Sequence, residues 1–231
     1  MYELQYIPLA LPFFLFLVGV FLFIVVLIQV HVLRYAYAKL GLSSGAALLL
    51  LLASLIGSYF NIPLTELPEH EVRSGQVIEF FGVRYIVPLV VDWPRTVIAV
   101  NVGGAVIPTL LSLYLLIKNW IWSSAAVATL FVTVACYLLA QPVPGIGIAI
   151  PPLIPPIIAA TVALLVARTN VAAVAYISGS LGTLIGADLL NLGKVQGLGA
   201  PVVSIGGAGT FDGVFLTGII AVLLASFSGR A

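Results

Sequence analysis

The sequence predicts an all-α polytopic membrane protein, and two observations lead to this fold class. First, 62% of its 231 residues are hydrophobic and only 7% are charged, whereas a soluble domain carries about 25% charged residues. Second, the apolar residues are gathered into long stretches with polar residues between them. We therefore expect a single transmembrane domain over residues 1–231, surrounded by the lipid bilayer. The net charge of +1 gives no reason to expect a nucleic-acid partner.

Seven apolar stretches come close to the ~17–25 residues that a helix needs to cross a bilayer. They cover residues 8–30, 44–60, 97–117, 122–141, 151–167, 171–190 and 212–229. With the N-terminus outside, the inner loops and the tail contain basic residues and no acid, and the loop acids all lie outside. Because basic residues favour the cytoplasmic side, we expect an N-out, C-in orientation in the cell membrane.

The longest polar stretch, residues 61–96, is expected to form an extracytoplasmic loop insertion. Within it, residues 77–87 are rich in β-branched and aromatic residues on both sides of Gly82, and Pro88 follows them. This pattern predicts a small β-hairpin-like segment of two short strands. Two roles remain open for it, a structural lid and a cap that selects the substrate.

Short strings of the first half are echoed in the second half in the same order. The echoes are 54–57 with 183–186, each followed by an asparagine (Asn61 and Asn191), and 100–105 with 203–208. This order predicts two parallel repeats, spans 1–3 and 5–7, with span 4 as the linker, an arrangement known in transporters. Chance similarity is the alternative, because short apolar strings match easily in so hydrophobic a chain.

Only two acidic residues, Asp188 and Asp212, lie in the hydrophobic spans. A carboxylate at membrane depth is costly, which makes both of them candidate catalytic residues. In a close pair, one carboxylate stays ionised and removes a proton from water, while the protonated one polarises a carbonyl. Peptide hydrolysis within a membrane needs this chemistry. The alternatives are an interfacial position for Asp188 and a helix-start role for Asp212, where an acid favours the positive end of the dipole.

The candidate substrate-binding residues lie in the glycine-rich loop before Asp212 and in the echoed strings. They are Gly206, Gly207, Gly209, Thr210, Asn101 and Asn191. Glycine permits backbone conformations that are closed to other residues, and such a loop is tolerated at membrane depth where it lines water or is buried in protein. No spacing of His, Cys, Asp or Glu predicts a metal site, and no cofactor motif is found.

Two resemblances follow from these residues. The strings GGAGTFDGVFLTG (206–218) and GADLLN (186–191) resemble an uncharacterised prokaryotic family of multi-pass membrane proteins, a domain of unknown function. This resemblance covers most of the chain and implies no activity.

The second resemblance concerns the string GTFDGVF (209–215), which is similar to the G-x-G-D motif of the presenilin, signal-peptide-peptidase and prepilin-peptidase families. Presenilin-like members carry one catalytic Asp near the end of the sixth helix and the other at the start of the seventh. The resemblance therefore implies that Asp188 and Asp212 form a catalytic dyad. The sequence departs from the motif at Phe211, which replaces its second Gly, and at Ala187, where presenilin-like members have Tyr. The later Pro-Ala-Leu helix is not found.

Three functions remain open at this point. The first is an intramembrane aspartyl protease-like hydrolase that acts on a transmembrane peptide. The second is a small-solute or proton-coupled transporter whose pathway would be lined by asparagines and the two acids. The third is a non-catalytic membrane scaffold. A close pair of carboxyl groups beside a water cavity favours hydrolysis, whereas separate positions between two similar halves favour transport.

Overall fold

The computed structural model describes residues 19–20, 22, 38, 40–67, 77–80, 83–86, 96–143, 147–195, 200, 202–207 and 213–227. Most of the first predicted span therefore lies outside the described residues, although residues 19, 20 and 22 are helical. The described chain is mostly helical but not all-α, because it also contains a small mixed sheet.

Six α-helices follow the predicted apolar stretches in the described part of the chain. They are α1 (Ser44–Gly57), α2 (Ile107–Asn119), α3 (Trp122–Leu139), α4 (Ile154–Val166), α5 (Val171–Thr183) and α6 (Gly213–Phe227). A π-helical turn (Val102–Val106) precedes α2; a second one (Leu184–Asp188) and a 3-10 helix (Leu189–Lys194) extend α5.

With these extensions, three helical stretches are long and apolar enough to cross a membrane: Val102–Asn119, Trp122–Leu139 and Val171–Lys194. The other helices, α1, α4 and α6, are apolar but shorter. By length and composition the chain is therefore membrane-like.

The strands of the described residues are β1 (Asn61–Leu67), β2 (Val77–Phe80), β3 (Val83–Ile86), β4 (Thr96–Asn101), β5 (Gln141–Val143), β6 (Gly147–Ala149) and β7 (Val202–Ile205). β2 and β3 pair antiparallel, with Val77 opposite Ile86, which confirms the predicted hairpin. β5 and β6 form a second antiparallel pair.

The third predicted span is wrong at its beginning, because residues 97–101 are not helical. They belong to β4, the middle strand of a three-stranded sheet with the order β1-β4-β7. β1 pairs with β4 antiparallel, and β7 pairs with it in parallel, with Val97 opposite Val202. Two neighbours satisfy the β4 backbone, so this apolar segment does not need to be helical. The helical part begins at Val102.

The core is built around α5, in which every residue except Leu181 is buried. α5 packs against α2, α3, α4 and α6. Alanine, serine and glycine occupy most of its positions, and such small residues let helix backbones approach closely where lipid supplies no hydrophobic driving force between helices. On α6, for example, an added Cβ at Gly218 would lie 3.0 Å from the Tyr176 ring.

The outward faces of the long helices are apolar. On α3 the exposed side chains include Leu130, Phe131, Val134 and Leu138, and on α2 they include Leu110 and Ile117. Contiguous apolar surface of this kind marks an interface with a partner or a membrane. The pattern is that of helices that face lipid outward and small residues inward.

Candidate functional site

A row of polar side chains crosses the end of the sheet where its strands meet the helices. Asn61 opens β1 and pairs with Asn101, the last residue of β4. Asn101 Nδ2 donates to Asn61 Oδ1 at 3.1 Å, and Ser204 Oγ on β7 donates to the same oxygen at 2.6 Å. One amide oxygen therefore links all three strands. We call residues 101–105, which run from the last residue of β4 into the π-helical turn before α2, the first junction. Residues 205–207, which begin with the last residue of β7, are the second junction.

Neutral polar groups hold the first junction together. Asn101 is buried; its Oδ1 accepts from Gly104 N at 2.8 Å, and its Nδ2 also donates to Ser58 O at 2.8 Å. Ser54 Oγ donates to Gly103 O at 2.6 Å. An added Cβ at Gly103 would collide with Ser54 O, so α1 lies directly against the junction. Asn101, a predicted substrate-binding residue, thus uses both ends of its amide within the protein as a helix cap.

The second junction contacts the predicted catalytic carboxylate. Asp188 ends the π-helical turn after α5, is half-buried, and accepts at Oδ2 from Gly206 N at 2.7 Å. The φ angles of Gly206 and Gly207 are +86° and +95°, a region that other residues rarely adopt. An added Cβ at Gly206 would lie 2.6 Å from Ala105 Cβ, so the two junctions touch each other. Glycine is required at Gly206 both by its φ angle and by this contact.

The small residues near the end of α5 and the carboxylate face different neighbours. Gly182 and Gly186 lie against α3, where an added Cβ on Gly186 would collide with Thr133 O. Asp188, two residues further on, reaches Gly206 beside the sheet instead. Glycine at these two positions therefore lets this end of the helix pack closely against α3, while the carboxylate of Asp188 is directed to the second junction.

The carboxyl group of Asp188 has no cationic partner in the described part of the chain, where its hydrogen bond comes from a neutral amide. Lys194, the basic residue that follows it in sequence, places Nζ 4.6 Å from the centre of the Tyr137 ring. Burying a charge without a counter-charge is costly. A carboxylate kept in this setting points to a functional role rather than a structural one.

Asn191 is fully buried, and its side chain caps backbone carbonyl groups at the end of the π-helical turn. Its Nδ2 donates to Gly186 O at 2.9 Å and to Ala187 O at 3.0 Å. Its Oδ1 is buried and has no donor among the described residues. Because the donor end serves the backbone, any binding role predicted for Asn191 depends on this oxygen.

The helix that follows Asp212 shares an apolar cluster with the π-helical turn that carries Asp188. α6 begins directly after Asp212, and its Val214 packs with Leu184 and Ile205 in one apolar cluster. Leu184 opens the π-helical turn that Asp188 closes. Both ends of the connection from the second junction to α6 therefore contact the region around Asp188.

The structure brings together Asp188, Gly206 and the first junction, but the remaining predicted residues, Gly209, Thr210 and Asp212, lie outside the described residues. Sequence reasoning missed the role of Ser54 and Ser58. Their signal was present, because two serines four residues apart lie on one face of an apolar helix. Ser58 Oγ donates to Ser54 O at 2.7 Å, as this spacing permits.

A family model described as "Protein of unknown function (DUF1614)" matches residues 55–224. The match covers most of the chain and includes both junctions and Asp188, so the chain belongs to this family. This confirms the resemblance to an uncharacterised family. No curated protein and no solved structure matches the chain.

Proposed function

We propose that this member of the DUF1614 family is an intramembrane aspartyl endopeptidase whose catalytic dyad is Asp188 and Asp212. The hydrogen bond from Gly206 N to Asp188 Oδ2 carries the proposal, because it docks the first carboxylate at the start of the connection that leads to the second. At the other end of that connection, Val214 of α6 belongs to the same buried apolar cluster as Leu184, which supports a position of Asp212 near Asp188.

In the proposed reaction the two carboxyl groups share one proton. The ionised group removes a proton from a water molecule whose oxygen attacks the peptide carbonyl carbon, while the protonated group donates to the carbonyl oxygen. The C–N bond of the resulting gem-diol then breaks as a carboxyl group passes a proton to the leaving nitrogen, which yields a carboxylic acid and an amine. The pair titrates as a unit, so neither role belongs to one residue through the whole cycle.

The proposed substrate is a transmembrane peptide in an extended conformation. β7 lies at the edge of its sheet and pairs only with β4 among the described strands. A peptide that adds to the other edge of β7 would run toward the second junction and gain main-chain hydrogen bonds. Side-chain pockets would then determine which peptide sequences are cleaved.

The proposal includes a multi-pass arrangement in the cell membrane, N-out and C-in, with seven spans. Three membrane-length helices and three shorter apolar helices are consistent with six of them. α1 is followed by β1, whose backbone pairs with β4, and non-helical backbone is tolerated at membrane depth where protein satisfies its hydrogen bonds.

Cleavage by purified protein in liposomes tests the proposal directly. The substrate is a transmembrane peptide with a fluorophore and a quencher on opposite sides of its centre. We expect Asp188→Asn and Asp212→Asn each to lower the cleavage rate by at least about 10³-fold, since either loss leaves no shared proton. Wild-type cleavage rates in both single variants would reject the dyad.

Glu66→Gln is the matched control, because it makes the same carboxyl-to-amide change at an exposed position on β1. It is expected to cleave at the wild-type rate. Elution position and thermal unfolding midpoint of each variant show whether the fold is kept. A parallel loss of activity in Glu66→Gln would mean that the assay reports charge and not the dyad.

A second candidate function, a small-solute or proton-coupled transporter, is favoured by the similarity of the two junctions. β4 and β7 run parallel, side by side, and a Gly-Gly pair follows within two residues of the end of each strand. Parallel repeats that meet at interrupted helices are a recurrent plan for transport sites. In this case Asp188 would alternate between ionised and protonated forms as solute crosses.

Proteoliposomes with an imposed pH gradient distinguish the two functions. Transport predicts solute uptake that collapses when the gradient is dissipated and that Asp188→Asn abolishes. Peptide cleavage without any gradient supports the hydrolase instead. An intact protein that moves no tested class of solute would reject the transporter.

A further inference from the structure

Basic and aromatic side chains lie together at the beginning of α3. Trp120 and Trp122 are exposed at the turn from α2 into α3, and Lys118 Nζ is 5.4 Å from the centre of the Tyr114 ring. From this turn α3 continues for 18 residues without a charged side chain, a length of about 27 Å. That length is close to the ~30 Å hydrocarbon core of a bilayer.

The other end of α3 has a second pair of the same kind. Lys194 Nζ is 4.6 Å from the centre of the Tyr137 ring, and both side chains are exposed. Lysine and aromatic side chains with this exposure are typical of the headgroup level, where the ring stays in apolar surroundings and the ammonium group reaches water. The exposed residues of α3 between Ser123 and Tyr137 are all apolar, as contact with hydrocarbon requires.

α5 lies alongside α3 and runs in the same direction, which gives the level of Asp188. An added Cβ at Gly182 would lie 2.6 Å from Val132 Cβ. An added Cβ at Gly186, four residues further on, would lie 2.9 Å from Cys136 Cβ. Equal steps along the two helices therefore stay side by side. Asp188, two residues after Gly186, is level with the last turn of α3, near the Lys-Tyr pair.

The sheet lies at this level and beyond it. Val203 of β7 shares a buried apolar cluster with Val195, which follows the 3-10 helix, and Leu67 at the end of β1 packs against the same cluster. Glu66, the neighbour of Leu67, is exposed. An exposed acid avoids the cost of hydrocarbon only if this end of the sheet is in water or among headgroups.

We propose that the site around Asp188 lies inside the protein at the extracytoplasmic surface of the membrane, within about one helical turn of the headgroups, and cleaves its substrate near that boundary. The cleavage rests on the proposed hydrolase, and the side of the membrane rests on the N-out orientation. Water reaches this level without crossing the hydrocarbon core. The last turn of a substrate helix already has unpaired backbone groups, so it is more easily extended against β7 than the centre is.

Spin labels on single cysteines measure the level of the site without any substrate. Cys136 is the only cysteine, so Cys136→Ala gives a cysteine-free background. Labels are attached at three exposed leucines: Leu189→Cys beside Asp188, Leu138→Cys in the last turn of α3, and Leu130→Cys near its middle. In liposomes, we expect a water-soluble nickel chelate to collide with the first two labels at least about threefold more often than with the third, because hydrocarbon excludes the polar reagent.

Mass spectrometry of the cleavage products locates the cut bond in an assay of the wild-type protein. The substrate is a peptide with a uniform Leu-Ala transmembrane segment, so its sequence favours neither the ends nor the centre. We expect the cut bonds to lie within about five residues of a boundary of the segment. Asp188→Asn should remove these products, and the control Glu66→Gln should give the same products as the wild-type protein.

A label at Leu189 that is as inaccessible to the chelate as the label at Leu130 would overturn the position of the site, whatever the activity. Cuts at the centre of the peptide would overturn the position of cleavage while the hydrolase stands. An accessible label at Leu189 without any cleavage by the wild-type protein would reject the hydrolase and leave the level of the site in place. The two proposals are therefore rejected by different results.

Discussion

Each junction has a glycine N–H group that needs a hydrogen-bond acceptor, and the two junctions supply that acceptor with different side chains. At the first, β4 turns into α2, and the neutral amide of Asn101 caps Gly104 N while Ser54 holds Gly103 O. At the second, the carboxylate of Asp188 accepts from Gly206 N. Both junctions use a Gly-Gly pair, and they touch where Gly206 meets the first junction.

The difference separates structure from function. A neutral amide that satisfies neighbouring donors and acceptors adds stability and needs no counter-charge. An amide oxygen could accept from Gly206 N as well as a carboxylate does, yet the chain has an acidic residue at this half-buried position. We therefore interpret the first junction as a structural scaffold and the second as the functional site. Four substitutions test this difference.

The largest effect is expected for Gly206→Ala, which places a Cβ against the first junction and strains a φ of +86°. We expect a loss of about 3 kcal/mol in unfolding free energy. Gly147→Ala is the matched control, since its φ is +115° but its added Cβ would meet nothing within 4 Å among the described residues. Thermal unfolding of both variants separates backbone strain from overlap. Equal losses would show that the junctions do not press on each other.

Asn101→Leu is expected to cost about 2 kcal/mol, because it leaves Gly104 N and Ser58 O buried without their partner. Asn119→Leu is its control: Asn119 donates to Leu115 O near the end of α2 and is only partly buried, so a smaller loss is expected. The measurement is the unfolding midpoint in detergent. If Asn101→Leu lowers the unfolding midpoint no more than Asn119→Leu does, the first junction is not a structural scaffold.

Ser204→Ala removes one of the two donors to Asn61 Oδ1 and is expected to cost about 1 kcal/mol. Thr161→Ala offers a control, because Thr161 Oγ1 bonds only within α4, to Ile157 O, at an exposed position. Hydrogen exchange of the β7 amides measures the effect locally. Unchanged protection of β7 would mean that the polar row does not hold the sheet together.

The smallest effect on stability is expected for Asp188→Asn, because the new amide oxygen still accepts from Gly206 N and a half-buried charge is removed. The unfolding midpoint should stay equal or rise. The reciprocal Asn101→Asp should lower it, since a carboxylate cannot donate to Ser58 O. If Asp188→Asn and Asn101→Asp change the unfolding midpoint equally, the interpretation of one junction as structural and the other as functional is wrong.

Helix positions were largely predictable from the sequence, whereas the central sheet was not. Runs of apolar residues gave the helices to within a few residues, and the hairpin at residues 77–86 followed from its β-branched residues and its glycine. β4 was missed because Val97 to Val100 continue an apolar stretch without a break, and periodicity cannot separate a short buried strand from a helix. Its pairing with β7 depends on a contact distant in sequence.

Two residues that the structure brings together, Asp188 and Gly206, could be singled out from the sequence, but the hydrogen bond between them could not. Asp188 and Gly206 stood out because an acid and a Gly-Gly pair are unusual in apolar stretches. Their hydrogen bond depends on the π-helical turn, whose extra residue changes the direction of Asp188 and leaves no local pattern in the sequence. The same turn gives Asn191 its backbone partners, which a prediction of substrate binding did not anticipate.

The parallel pairing of β4 with β7 also has a consequence for biogenesis. Four helices are synthesised between these strands, so β4 leaves the ribosome long before its partner exists. Until then one edge of β4 has unpaired backbone amides within an apolar segment. We therefore expect insertion chaperones to bind the nascent chain at this stage. Early stop codons upstream of β7 should therefore yield fragments that quality-control proteases clear quickly.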